Sequence, residues 1–248
     1  MNQHLLLDIE GTTCPVSFVS DILFPFAKRE LSSHLHRNGP SKNQSESIQK
    51  AKKEWMEDDS LESKQLKKEV DLKKISEIDA LIHYLEHLIS IDRKSTALKD
   101  IQGQIWELGY SNGQLKAELF PETVGCLQQW HQQGITLSVY SSGSIHAQQL
   151  LYRHTSEGNF ETLFSYWFDT HTGPKKVSQS YTTIATKLKS APENIWFISD
   201  NGEECDAARK AGMKTLFSLR DGNPDRDPRD HKVIQSLHEV IGHLTAEK

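Results

Sequence analysis

The sequence predicts an α/β protein, a mostly parallel sheet covered by helices, with a helical domain inserted after the first strand. Two observations carry that prediction. Short apolar runs alternate with amphipathic segments at residues 4 to 8 and again after about residue 120. Residues 18 to 119, between them, are helical in period and almost free of strand signals. The core is therefore expected to be discontinuous, 1–17 with 120–248, and the inserted helical domain to span 18–119.

Taken in order, HLLLD (4 to 8) reads as a buried strand that runs into acid groups. Within the insertion, Ile78, Leu81, Ile82, Leu85, Leu88 and Ile89 form one helical face. The polar stretch from Asn38 to Lys74 reads as a solvated helix pair or a partly mobile segment. PETVGCLQQWHQQG opens on Pro121 and closes on Gly134, the usual asymmetry of helix ends. Four more strands are expected at ITLSVY (135 to 140), YWFD (166 to 169), NIWFIS (194 to 199) and KTLFSL (214 to 219). Val177, Tyr181, Ile184, Ala185 and Leu188 make a helical stripe that stops before Pro192. Val233, Ile234, Leu237, Val240, Ile241 and Leu244 are read as another.

Composition narrows the function. The 248 residues are 25% charged and carry a formal charge of -5, so no broad basic field exists to hold nucleic acid. Cys14, Cys126 and Cys205 are odd in number and far apart, which argues against a disulfide framework and for a reducing compartment. No apolar run approaches the ~18 residues of a membrane span, and MNQHLLLD lacks the pattern of a secretion signal. A cytoplasmic monomer is expected, also nuclear if the source is eukaryotic, without membrane or nucleic-acid partners.

Ligands of open α/β sheets bind beyond the carboxyl ends of the strands. Asp8 and Glu10 follow the first strand, Ser141-Ser142-Gly143-Ser144 the second, Lys175-Lys176 the third, and Asp200 to Glu204 the fourth. That set suits phosphoryl transfer through an aspartyl-phosphate. Asp8 can attack phosphorus, with Asp200 as its partner in holding Mg²⁺, which takes oxygen ligands. On an extended backbone Glu10 faces the same side as Asp8, where it can protonate the leaving oxygen and later activate water. Ser141, Ser142 and nearby N–H groups can hold phosphoryl oxygens, and Lys175 or Lys176 can balance their charge.

These four segments resemble the motifs of the haloacid dehalogenase superfamily. Together with LLLDIEGTTCPVSFVSDILFPFA, DRKSTALKDIQGQIWELGY (92 to 110), ELFPETVGCLQQW, YSSGS, FDTHTGPK and FISDNGEECDAARKAGMKT, they resemble its enolase-phosphatase family of the methionine salvage pathway. Glu10 sharpens the likeness, since most phosphatases of the superfamily carry Asp there.

The resemblance implies a Rossmann-like core with a helical cap and one Mg²⁺ per subunit. It implies a small phosphorylated substrate, 2,3-diketo-5-methylthiopentyl-1-phosphate, enolised and then dephosphorylated to the acireductone 1,2-dihydroxy-3-keto-5-methylthiopentene. By position it makes Asp8, Glu10 and Lys175 catalytic, Ser141, Ser142 and Lys175 substrate-binding, and Asp8, Glu10 and Asp200 the metal set. Spacing does not say which group takes the proton in enolisation; Glu10 stands as the candidate. Asn201-Gly202 departs from the more apolar residue expected after Asp200. A phosphatase of the same superfamily with another cap specificity, or an inactive binding relative, are the alternatives.

Simpler readings stand beside these. One serine of 141–144 is expected to cap the helix IHAQQLL, and Glu203 and Glu204 to sit in a helix's first turn. His83-Tyr84-Leu85-Glu86-His87 matches H-x-x-E-H, but with 12 histidines in the chain and Leu85 on the buried stripe it reads as packing rather than a zinc site.

Overall fold

The computed structural model describes residues 3–38, 46–91, 93 and 95–246. The chain divides into two compact units, Met1–Ser20 with Leu115–Lys248 and Asp21–Gln114. In the first, the described residues form a six-stranded sheet: β1 (His4–Leu7), β2 (Thr136–Tyr140), β3 (Phe164–Phe168), β4 (Ile195–Ser199), β5 (Lys214–Ser218) and β6 (Lys232–Ile234). Their spatial order is β3-β2-β1-β4-β5-β6, and every neighbouring pair is parallel. Chain order thus runs outward from β1 to one edge, returns to β4, and runs to the other. The reversal between β1 and β4 creates the crevice where doubly wound folds bind ligands.

The second unit is helical. After a π-helical turn at Phe18–Leu23 come α1 (Phe24–Asn38), α2 (Glu46–Glu57), α3 (Leu61–Asp71), α4 (Glu77–Ser90) and α5 (Thr96–Ser111). Serines start three of them: Ser60, Ser76 and Ser95 each accept an N–H of the first turn. The polar stretch therefore holds a helix pair, α2 and α3; its residues 39–45 lie outside those described. In α4 the buried face is Ala80, Leu81, Ile82, Tyr84, Leu85 and Leu88. His83 is exposed, and among the described residues no group of three His, Cys, Asp or Glu is arranged to hold a metal ion.

Helices α6 (Thr123–Gln132), α7 (Ile145–Arg153), α8 (Ser178–Leu188), α9 (Gly202–Lys210) and α10 (Val240–Ala246) cover the sheet unit. Leu5, Leu6 and Leu7 are wholly buried, as a central parallel strand requires. Around Leu6 the core gathers Tyr140, Tyr181, Ile184, Phe197 and Phe217. Ser144 is the serine that caps α7, accepting from Ala147 N at 3.2 Å.

Three expectations are corrected. The third strand starts at Phe164, two residues before YWFD. Val233 and Ile234 are not the start of a long helix but belong to β6, because Ser236 ends the extended run with a capping box to Glu239. Val177 precedes α8 as its N-cap and is 45% exposed, so it lies off the buried stripe. Among the described residues no helix is long and apolar enough to cross a membrane.

Asp58 anchors the helical unit. Its carboxylate accepts from Ser60 N at 2.7 Å and Tyr84 OH at 3.0 Å and pairs with Arg93, while Trp55 packs beside Tyr84. Burial works against the Asp58 charge, but these donors outweigh it and hold the carboxyl well below the ordinary range. A depressed folded-state pKa gives stabilisation that is present above the unfolded value of about 4 and lost as pH falls below it. Asp58→Asn is expected to lower stability at pH 7 by ~1–3 kcal/mol in urea unfolding, with the gap from wild type narrowing at about pH 3.

Candidate active site

Asp8 is the first residue past β1, and its N–H still donates to Ile198 O in β4 at 2.9 Å. This last rung sets the side chain at the carboxyl edge beside the end of β4. Oδ1 of Asp8 accepts from Ile9 N at 2.8 Å. Oδ2 accepts from Lys175 Nζ at 2.7 Å and Ser199 Oγ at 2.9 Å. Lys175 Nζ also reaches Glu204 Oε2 at 2.6 Å, and Ser199 Oγ lies 3.0 Å from that same oxygen. One ammonium thus ties two carboxylates together, while the single Ser199 hydroxyl hydrogen can serve only one of them at a time.

Burial sharpens the electrostatics of this cluster. Asp8 is 5% exposed, and Lys175 and Asp200 are each 9% exposed. Burial works against the Lys175 charge, yet Asp8 and Glu204 more than offset it and hold the ammonium above the ordinary lysine range. Burial and the Asp8 charge push Glu204 upward. Asp200 is pushed up to about 8 by burial and then by Asp8, with Glu204 and Glu10 adding to the rise and Lys175 opposing it. Among the described residues Lys175 is the one buried cation that acts on Asp8, Asp200 and Glu204, so ionising all three carboxyls would leave an excess of negative charge.

That excess is what a divalent cation would neutralise. The oxygen donors at hand are the Asp8 and Asp200 carboxylates with the Glu10 main-chain carbonyl nearby in sequence, and the described residues add no cage of three His, Cys, Asp or Glu. An oxygen set with few protein carboxylates fits Mg²⁺, which keeps water and phosphate oxygens in its shell.

Lys175 arrives from a loop, so its backbone needs other supports. Tyr140 OH donates to Gly173 O at 2.8 Å, Ser180 Oγ to Pro174 O at 2.8 Å, and Tyr181 OH to Lys175 O at 2.7 Å. Three consecutive carbonyls each receive one hydroxyl. Gly173 has φ +147°, and a Cβ there would lie 2.3 Å from Ser180 Oγ. Lys176, by contrast, points to solvent and pairs with Glu203.

Past Asp8 the chain does not stay extended, which corrects the basis on which Glu10 was placed. Thr12, Thr13 and Cys14 all donate their N–H to Ile9 O, at 3.1, 2.9 and 3.0 Å, folding residues 9–14 into a tight turn. Glu10 is half-buried in that turn, bridged to Cys14, and its charge reaches Asp200. Gly11 has φ +66°, and a Cβ on it would fall 2.2 Å from Asp200 Oδ2. The turn therefore carries glycine both for its conformation and for the approach of Asp200.

Ser141 and Ser142 follow β2 at the same edge. Ser141 is buried, donates its N–H to Phe168 O at 3.2 Å and accepts from Gly143 N at 3.4 Å; Ser142 is exposed. Asn201, the departure noted after Asp200, caps α9 by accepting from Glu203 N at 3.1 Å and Glu204 N at 3.2 Å. A polar side chain suits that position because the helix start needs an acceptor there.

Ser199 belongs to the cluster but is not among the candidates read from sequence, and Glu204, read there chiefly as a first-turn acid with orientation of metal-bound water as the alternative, joins it. For Glu204 a signal existed, since four residues after Asp200 in a helix start is one turn away. Ser199 gave none, because a serine ending a strand is unremarkable until its neighbour across the sheet is known.

The haloacid dehalogenase-like hydrolase family model matches residues 3–212. Enolase-phosphatase E1 of Synechococcus sp. (strain CC9605) is 68% identical, over 99% of this chain and 99% of its own. Enolase-phosphatase E1 of Parasynechococcus marenigrum (strain WH8102) is 56% identical, over 97% and 98%. Among solved structures, the UTR4 protein of Saccharomyces cerevisiae superposes with a TM-score of 0.72 at 28% identity, covering 95% of this chain and 98% of that one. A sheet that reverses at β1 and β4, a buried Asp–Lys–Glu cluster at that reversal, and full-length identity of this order agree, and the chain belongs to the enolase-phosphatase E1 family of haloacid dehalogenase-like hydrolases.

Proposed function

We infer that the chain is an enolase-phosphatase acting in the salvage of methionine from methylthioadenosine. It converts 2,3-diketo-5-methylthiopentyl-1-phosphate to the acireductone 1,2-dihydroxy-3-keto-5-methylthiopentene and phosphate. The observation that carries this reading is the buried Asp8–Lys175 pair, 2.7 Å long, at the crevice between β1 and β4.

Asp8 is the nucleophile. One of its oxygens bonds to phosphorus as the bond from phosphorus to the substrate oxygen breaks, giving an acyl phosphate that water then cleaves. The donors on Asp8 fix the plane of its carboxylate before substrate arrives, so little order has to be gained at the moment of attack. Lys175, held charged between Asp8 and Glu204, balances the negative charge on the transferring oxygens. The Ser141 and Ser142 hydroxyls hold those oxygens. Glu10 gives a proton to the leaving oxygen, takes one from the attacking water, and is the group we assign to proton transfer in enolisation.

One Mg²⁺ per subunit, held by the Asp8 and Asp200 carboxylates and the Glu10 main-chain carbonyl, would supply the charge that lets an anionic nucleophile meet an anionic phosphate. The helical unit Asp21–Gln114 is assigned substrate selection.

Three outcomes are expected. Asp8→Asn should reduce phosphate release by roughly a thousandfold or more, read in a phosphate assay, and undiminished release would refute the nucleophile. The diketone phosphate should be turned over in preference to a panel of sugar phosphates, with a transient enol absorbance ahead of phosphate release; release with no such transient would sink the enolase half of the reaction. Chelation with EDTA should abolish turnover, and Mg²⁺ in excess should restore it.

A further inference from the structure

Asn223 lies in the loop after β5 and is 5% exposed. Both of its amide hydrogens are used: Nδ2 donates to Gly11 O and to Ser218 O, each at 3.0 Å. Two carbonyl acceptors on one side decide which way the amide faces, since a flipped amide would set oxygen against oxygen. Oδ1 is thereby turned away from both, and among the described residues no donor reaches it.

What Oδ1 faces gives the clue. Asp200 Oδ2 and Asn223 Oδ1 lie 2.2 and 2.8 Å from the one point at which a side chain on Gly11 would begin. Two buried acceptors close to one another, one of them a carboxylate, leave a demand for hydrogen that this part of the chain does not meet. Water supplies two hydrogens at once, and water on a hard cation offers them more strongly than free water does. Mg²⁺ keeps several waters even when carboxylates bind it.

We propose that Asn223 is a positioning residue for the metal centre, its side-chain carbonyl accepting a hydrogen bond from a water molecule carried by the cation at Asp8 and Asp200, while its amide hydrogens hold the Gly11 turn. This rests on the assignment of those two carboxylates as cation ligands. Asparagine suits the position because it has two donors for the carbonyls and a neutral acceptor for the water. Aspartate would lose the donors and add a further negative charge beside Asp200.

The test is calorimetric titration of the full chain with Mg²⁺ alone, with thermal unfolding in the absence of Mg²⁺ to show that each variant is folded. Asn223→Ala should raise the Mg²⁺ Kd about tenfold or more, the usual size of an outer-shell loss. Ser218→Ala removes the other side-chain donor to Gly11 O, which spans 2.9 Å, but leaves Asn223 Oδ1 in place. Its Kd should stay within about twofold of wild type, a shift of no more than ~0.4 kcal/mol by the logarithmic relation of Kd to free energy. If the alanine variant does not fold, Asn223→Ser, which keeps a small polar side chain at the position but lacks the amide carbonyl, takes its place with the same expected loss. A Kd unchanged in the Asn223 variant overturns the proposal, and so does equal weakening by Ser218→Ala, which would assign the effect to the clamp on Gly11. A wild-type chain that binds no Mg²⁺ overturns the assignment of Asp8 and Asp200 themselves, a result distinct from a flat variant.

Discussion

One buried ammonium between two carboxylates sets the terms for the rest of the site. Removing Lys175, Asp8 and Glu204 from water is costly, and the cost is offset only while their contacts of 2.7 and 2.6 Å are kept. Asp8, the proposed nucleophile, is ordered there but negative, and an anionic substrate could not approach it without further positive charge. The same packing that orients Asp8 concentrates negative charge, and burial together with the Asp8 charge pushes Asp200 up to about 8.

The scaffold meets these demands with ordinary backbone chemistry. Adjacent parallel strands bring Asp8 next to Ser199 with no loop to adjust their spacing. Lys175 comes from a less regular segment, and there the fold adds three hydroxyls on three successive carbonyls. The Gly11 turn is held in a similar way: Ser218 and Asn223 both donate to its carbonyl, and its missing side chain leaves room for Asp200. Loop positions that carry chemistry are thus fixed by hydrogen bonds to the main chain, as strand positions are fixed by the ladder.

Parts of this were legible in the residues, for reasons that can be named. HLLLD reads as a buried strand because three successive leucines suit burial on both faces, and Asp8 then falls at its carboxyl end. The ends of β2 and β4 follow from similar apolar runs. β6 was hidden because three residues, Lys232–Ile234, are too few to show a period of two, and the apolar residues after them complete a helical pattern by coincidence. Glu10 was placed from an extended backbone that turns out to be a tight turn on the Ile9 carbonyl. A D-x-E-G-T sequence does not reveal which carbonyl will collect the following N–H groups.

By itself the sequence determined the alternation of strands and helices, the carboxylate at the tip of the first strand and the types of group at three later strand ends. These depend on local periodicity and composition, which the order of residues contains. Only the tertiary structure decided that Lys175 is buried while Lys176 pairs with Glu203, that Glu204 shares Lys175 with Asp8 while Ser199 bonds the Asp8 carboxylate, and that Asn223 brings a carbonyl oxygen to the same Gly11 position as Asp200. Those partners lie from 23 positions apart, Asp200 and Asn223, to 191, Asp8 and Ser199, so their meeting depends on strand order and loop closure, and no local pattern encodes it.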